Sequence, residues 1–135
     1  MDIDRAQGYG FAFQDSSERA NDEVVVVVQA EHAQAVENIE AIATTPGVDG
    51  VFIGPYDLSA SLGKMGQLDD PAVVKAIEHI TQTCLAAGVK LGVFTTSAEA
   101  AIPYIESGFT LITAGTDTLL LGHGGRDIIH EIKGR

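Results

Sequence analysis

Val24-Val25-Val26-Val27-Val28-Gln29-Ala30-Glu31-His32 is the stretch on which the architecture turns. Consecutive β-branched residues are stiff at χ1 and favour extended backbone. A run without polar alternation suits a strand buried on both faces, as parallel strands are when helices cover them. The valine run is therefore read as the first strand, with a polar tail, Gln29 to His32, at its C-terminal end. Helical spacing follows at once in Ala35, Val36, Ile39, Ile42 and Ala43, and Thr44-Thr45-Pro46-Gly47 stops that helix.

The same alternation continues downstream. Val48–Ile53 is the second strand, followed by a long loop from Gly54 to Asp70 that Gly54, Pro55, Gly63 and Gly66 punctuate. Asp70-Pro71 starts a helix, with the aspartate as N-cap and the proline at the first helical position. That helix carries an apolar stripe of Val73, Ile77, Ile80 and Cys84 and stops at Gly88. Val89–Phe94 is the third strand, and Ser97 caps the helix after it. Phe109–Ala114 is the fourth strand. A last helix begins near Thr116 or Asp117, with Asp117 read as its cap, and Gly122, Gly124 and Gly125 weaken its middle. The first 22 residues read as a loop and a short helix. Repeated strand–helix units with apolar strands define an α/β protein with a parallel sheet. Two architectures remain open: a doubly wound sheet, or four β-α units of a TIM-type (β/α)8 barrel. A whole barrel takes about 250 residues, so 135 residues make half of one. Residues 1–135 show no low-complexity linker and read as a single partial domain.

Composition narrows the function. The formal net charge of −11 argues against nucleic acid and anionic membrane as partners. No apolar run approaches the roughly 20 residues of a membrane span. No signal peptide is visible, and the cytoplasm is the default address. The single cysteine, Cys84, excludes an intramolecular disulfide and sits where a small buried hydrophobe belongs.

In either parallel architecture the C-terminal ends of the strands build the site. Glu31 and Asp57 follow consecutive strands there. If the strands pair, their ends lie about 4.8 Å apart, and the two carboxylates can converge on a hard divalent cation, Mg²⁺ or Mn²⁺. Acids at these positions also serve as helix caps or first-turn residues, and spacing alone leaves both readings open. Gly54-Pro55-Tyr56-Asp57 is a tight turn whose backbone N–H groups at Tyr56 and Asp57 could face an anion; an ordinary turn before a helix is the alternative. His32, His79, His123 and His130 form no cluster with metal-ligand spacing. No general base stands out near the pair, and neither a Walker loop nor a Gly-x-Gly-x-x-Gly occurs.

Five stretches are similar to the HpcH/HpaI family of class II pyruvate aldolases: Arg5–Gly10, Ala20-Asn21, Val28–His32, Gly47–Ser59 and Gly115–Thr118. The Gly54–Ser59 run is the most specific of them. Ala30 stands where the family commonly has isoleucine. The resemblance implies strands five to eight of a TIM-type barrel. It implies cleavage of 4-hydroxy-2-oxo acids, such as 4-hydroxy-2-oxo-heptanedioate or 2-dehydro-3-deoxyglucarate, to pyruvate and an aldehyde. By resemblance, Glu31 and Asp57 hold the metal, Gln29 contacts substrate, and the amides of Tyr56 and Asp57 receive the pyruvate carboxylate. The histidine base and the enolate-steadying arginine of the family have no counterpart here, so no catalytic residue is assigned. A half-barrel has two unpaired strand edges, and a homo-oligomer or pairing with a complementary half-barrel is expected.

Overall fold

The computed structural model describes residues 8–134. A one-turn 3-10 segment at Gly8–Gly10 leads to α1 (Phe13–Glu23), a longer helix than the sequence suggested. Arg5, Ala6 and Gln7 of the resemblance lie outside the described residues. Then follow β1 (Val27–Ala30), the short helices α2 (Ala33–Glu37) and α3 (Ile39–Ala43), β2 (Gly50–Ile53), α4 (Pro55–Ser61) and α5 (Pro71–Ala87). The chain finishes with β3 (Lys90–Thr95), α6 (Ala98–Glu106), β4 (Leu111–Ala114) and α7 (Asp117–Lys133).

The four strands form one parallel sheet in the order β1-β2-β3-β4. That order separates the two architectures left open by the sequence. A doubly wound sheet reverses its strand order at a switch point, whereas here each strand adds to the same side of the last. This is the topology of a barrel segment. The core lies on the helix-covered face: Ala30, Val51, Ile53, Leu91 and Val93 pack with Ile39, Leu58, Ile80 and Cys84. The side chains that alternate with them, Gln29, Phe52 and Phe94, face the other way and line an open cleft. Close packing on that open face depends on Gly92. A Cβ there would meet Phe52 Cδ2 at 2.5 Å and Leu111 at 3.1 Å.

Several sequence readings need correction. The valine run is not a strand buried on both faces. Val24–Val26 precede β1, and Val25 is 72% exposed. The reason is position: β1 is an outer strand with one neighbour, and nothing covers its inner face among the described residues. The helix after β1 breaks in two at Asn38, whose side-chain amide donates to the Gln34 carbonyl at 2.7 Å. The segment read as a long loop contains α4, entered through Pro55 at its first turn. Phe109 belongs to the core, 4% exposed and edge-to-face with Tyr104 at 5.2 Å, and β4 begins only at Leu111. Despite its glycines, α7 is continuous, and none of its residues is buried.

Other readings hold. Asp70 caps α5 by accepting from the Ala72 N–H at 2.9 Å. That bond and the ion pair with Lys64 at 3.1 Å hold its carboxyl below the usual range. Gly88 ends α5 with φ 74°, a backbone region that favours glycine. Ser97 caps α6. Cys84 is fully buried, and burial pushes its thiol up. No helix among the described residues is long and apolar enough to cross a membrane.

Candidate functional site

Parallel register builds the site. Ala30 pairs with Ile53 at the ends of β1 and β2, which sets the next residues, Glu31 and Gly54, side by side. Gly54 is buried and has no Cβ. One placed there would lie 3.3 Å from both Cβ and Oε2 of Glu31 and 3.5 Å from Oδ2 of Asp57. The two carboxylates therefore flank the same small space, and a side chain at Gly54 would occupy it. Asp57 reaches it from the first turn of α4. Glu31 reaches it from the end of β1 and is oriented by Gln29, whose Nε2 donates to Oε2 at 3.1 Å. Glu31 is half-buried and Asp57 exposed, so the space opens to solvent on one side.

Two serines fix this arrangement: Ser59, the last residue of the Gly54–Ser59 run, and Ser61, which the sequence reading passed over. Ser61 Oγ accepts from the Ala33 N–H at 3.0 Å and donates to the Leu58 carbonyl at 2.8 Å. It ties the chain just after Glu31 to the chain just after Asp57. Ser59, fully buried, donates to the Tyr56 carbonyl at 2.6 Å and accepts from the Gly66 N–H at 2.9 Å. It folds the Gly63–Gly66 turn back over Tyr56, whose ring would lie 3.4 Å from a Cβ at Gly66. Two serines on one short helix were the available signal. A hydroxyl there bonds to nearby backbone as readily as to solvent, so sequence alone could not say which bond each makes.

The carboxylate pair lines a cleft of about 760 Å³. Gln29, Glu31, Tyr56 and Asp57 all line it, so the residues singled out from the sequence come together. Asp69 and Glu78 line it as well, and sequence spacing gave no hint of them. Histidines do not enter. His32 Nδ1 accepts from the Gln34 N–H at 3.2 Å and so caps α2, away from the cleft. His79, His123 and His130 are exposed on helices. Asp117 is not the cap of α7. Thr116 is, accepting from the Leu119 N–H at 3.3 Å, while Asp117 accepts from its neighbour Thr118 at 2.7 Å.

Among the described residues no group of three or more His, Cys, Asp or Glu stands together as a ready-made metal cage. The pair nevertheless fits a hard cation. Mg²⁺ is held through one or two carboxylates while waters and substrate complete the octahedron. Two carboxylate oxygens flanking a gap kept open by a glycine are such a donor set. Pro55 occupies the first helical position, and the first N–H groups of a helix have no intrahelical acceptor. Those of Tyr56 and Asp57 are thus available beside the pair.

A four-stranded parallel segment of a TIM-type barrel, with two acids at adjacent strand ends, defines the class. The chain belongs to the HpcH/HpaI aldolase/citrate lyase family, whose profile matches residues 2–124. It is 41% identical over 109 residues to a hydroxypyruvate/pyruvate aldolase of Cupriavidus necator, covering 81% of this chain and 40% of that protein. It is 41% identical over 99 residues to a 5-keto-4-deoxy-D-glucarate aldolase of Escherichia coli, covering 73% of this chain and 39% of that protein. The crystal structure of an HpcH/HpaI family protein from Burkholderia cenocepacia superimposes with a TM-score of 0.91 at 39% identity. It covers 97% of this chain and 51% of that one. The chain thus spans about half the length of these relatives or less.

Proposed function

We propose that this chain supplies the metal- and pyruvate-binding half of an aldolase site that cleaves 4-hydroxy-2-oxo acids to pyruvate and an aldehyde. The observation that carries the proposal is the convergence of Glu31 and Asp57 on the space left by Gly54, in a chain of this family. Residues 1–135 act in this reading as one partial-barrel domain at a cytoplasmic address.

Glu31 and Asp57 would hold Mg²⁺ or Mn²⁺. A bound divalent cation polarises the 2-oxo group and stabilises the enolate that cleavage releases. The chain's own residues do the rest of the binding. Gln29 keeps Glu31 pointed at the site through its 3.1 Å hydrogen bond and offers its amide to the substrate. The N–H groups of Tyr56 and Asp57 receive the pyruvate carboxylate. Breaking the C3–C4 bond also requires removal of the 4-hydroxyl proton. No histidine, lysine or arginine lines the cleft among the described residues, so that base is assigned to a part of the enzyme beyond them.

That point favours a second reading, a metal- and pyruvate-binding half-barrel that works with another half or as an assembly partner. The outer strands β1 and β4 each have one neighbour, and an unpaired edge invites pairing. Self-association or a complementary half-barrel would close both. The experiment is pyruvate release from a 4-hydroxy-2-oxo acid with Mg²⁺ or Mn²⁺, with and without chelator, beside calorimetric metal binding. Metal-dependent turnover supports the aldolase. Metal and pyruvate binding without turnover supports the binding half. Absence of metal binding refutes both.

A further inference from the structure

Ser59 is fully buried in α4, and both of its hydrogen bonds go to backbone. Its proton lies on the Tyr56 carbonyl at 2.6 Å, and its oxygen receives the Gly66 N–H at 2.9 Å. A helical serine often bonds back to an earlier carbonyl of its own helix as a purely local contact. The second bond, from a residue outside the helix, makes Ser59 a bridge instead. The turn that supplies it is itself fixed. The Gly63 N–H donates to the Ala60 carbonyl at 3.0 Å, and the Lys64 N–H to the Ser59 carbonyl at 2.8 Å. Gly66 has φ 76°, a backbone region that favours glycine.

The Tyr56 carbonyl is one end of a planar peptide group whose other end is the Asp57 N–H. The Gly66 N–H, the Ser59 hydroxyl and the Tyr56–Asp57 amide therefore stand in series. The next N–H along α4, that of Leu58, is engaged by the Gly54 carbonyl at 2.9 Å. The Asp57 N–H precedes that bond, in the first turn where a helix has no acceptor of its own, and is the open end of the series. Two effects follow. The bond at the carbonyl fixes the plane of the amide, and with it the direction of the N–H, before any ligand arrives. It also polarises the amide, since each bond in such a chain strengthens the next by roughly 10–30%.

Asp57 thus presents two poles. Its Oδ2 lies 3.5 Å from the position of a Cβ at Gly54, where the cation is placed, and its N–H is oriented from behind by Ser59. The carboxylates have separate supports, the Gln29–Glu31 bond and the Ser61 bridge. Resting on the aldolase reading above, we infer that Ser59 is a positioning residue for the substrate carboxylate, acting through the Tyr56–Asp57 peptide group, and not for the metal.

The test reads the two kinds of binding apart. In the Mg²⁺-saturated, ¹⁵N-labelled chain, pyruvate should move the Asp57 amide proton downfield, and Ser59→Ala should reduce that shift. In calorimetry Ser59→Ala should weaken pyruvate binding about fivefold or more and leave Mg²⁺ affinity within about twofold of wild type. Pyruvamide, which keeps the 2-oxo group and lacks the charge, should bind wild type and Ser59→Ala alike. Ser59→Cys, close to serine in size but a weak donor, should weaken pyruvate in the same way and serves if the alanine variant does not fold. Wild-type pyruvate affinity in the folded variants overturns this inference alone. So do equal losses for Mg²⁺ and pyruvate, equal losses for pyruvate and pyruvamide, or an Asp57 amide that bound pyruvate leaves unmoved in wild type. Failure of the metal-loaded wild type to bind pyruvate overturns the aldolase reading and this inference with it.

Discussion

Glu31 and Asp57 approach the same missing atom, the Cβ of Gly54, with carboxylate oxygens at 3.3 and 3.5 Å from it. Their separation therefore cannot exceed the sum of those distances, and the glycine holds the gap. Gly54 has φ −101°, which alanine adopts without strain. Gly54→Ala should thus fold and yet fill the space between the acids. We expect metal affinity to fall by at least about tenfold, a small structural intrusion at a charged site, with an unchanged circular dichroism spectrum. Wild-type affinity in calorimetry would place the metal elsewhere.

Asp57→Ala removes one of two protein donors and leaves Glu31 alone. Two carboxylates attract a divalent cation more strongly than one, and a monodentate site keeps Mg²⁺ almost wholly hydrated. Binding should drop by about a hundredfold or more, equivalent to about 3 kcal/mol. Pyruvate release, where present, should fall with it and match the level of chelator-treated wild type. Unchanged affinity in calorimetry would remove Asp57 from the ligand set.

Acid stability should register the cap of α5. The Ala72 N–H, then Lys64, holds the Asp70 carboxyl below its ordinary value of 3.8. A carboxyl whose folded pKa is depressed adds stability above its unfolded pKa and loses it as pH falls through the folded one. Between pH 5 and pH 2, wild type should lose stability more steeply than Asp70→Asn, whose amide also caps helices but does not titrate. Parallel acid limbs in urea melts would contradict the linkage.

Much of this was legible because the signals were local. The Asp70-Pro71 start and Gly88 stop of α5 and the Ser97 cap of α6 appear in the structure where the sequence places them. So does the meeting of Glu31 with Asp57, because consecutive parallel strands bring their ends together by geometry alone. What failed depended on non-local facts. The valines looked like core because β-branched runs usually are, but exposure is decided by whether a neighbour covers the strand, and β1 lies at an edge. The segment after Gly54 looked like loop because glycine and proline were taken as breakers, whereas Pro55 opens a helix. Asp69 and Glu78 could not be read as cleft residues, since it is the tertiary packing of α5 and of the segment leading into it that carries them there.

The inner face of the sheet offers a stability test independent of the site. A Cβ at Gly92 would sit 2.5 Å from Phe52 Cδ2 and 3.1 Å from both Cβ and the carbonyl oxygen of Leu111. The ring can turn toward the open face, but the β4 backbone cannot move without disturbing the Gly92–Leu111 pairing. Gly92→Ala should cost about 1–3 kcal/mol, in the range of overpacking, measured by urea denaturation. A neutral result would mean that Phe52 swings away freely and does not depend on the gap over β3.

Ser61 links the fold to the site most directly. Its hydroxyl bridges the Ala33 N–H and the Leu58 carbonyl, so the turn after Glu31 and the helix carrying Asp57 move as one unit. Ser61→Ala leaves the Ala33 N–H without this acceptor, at a cost of about 1 kcal/mol in stability. If the bridge also positions the carboxylates, metal affinity should fall severalfold beyond any change in folding. The electron paramagnetic resonance spectrum of bound Mn²⁺ should broaden as the two ligands lose their fixed separation. Ser61→Thr keeps the hydroxyl and should restore both readouts. A variant that is less stable but binds Mn²⁺ with wild-type affinity and line width would confine Ser61 to the fold and leave Glu31 and Asp57 positioned by strand register alone.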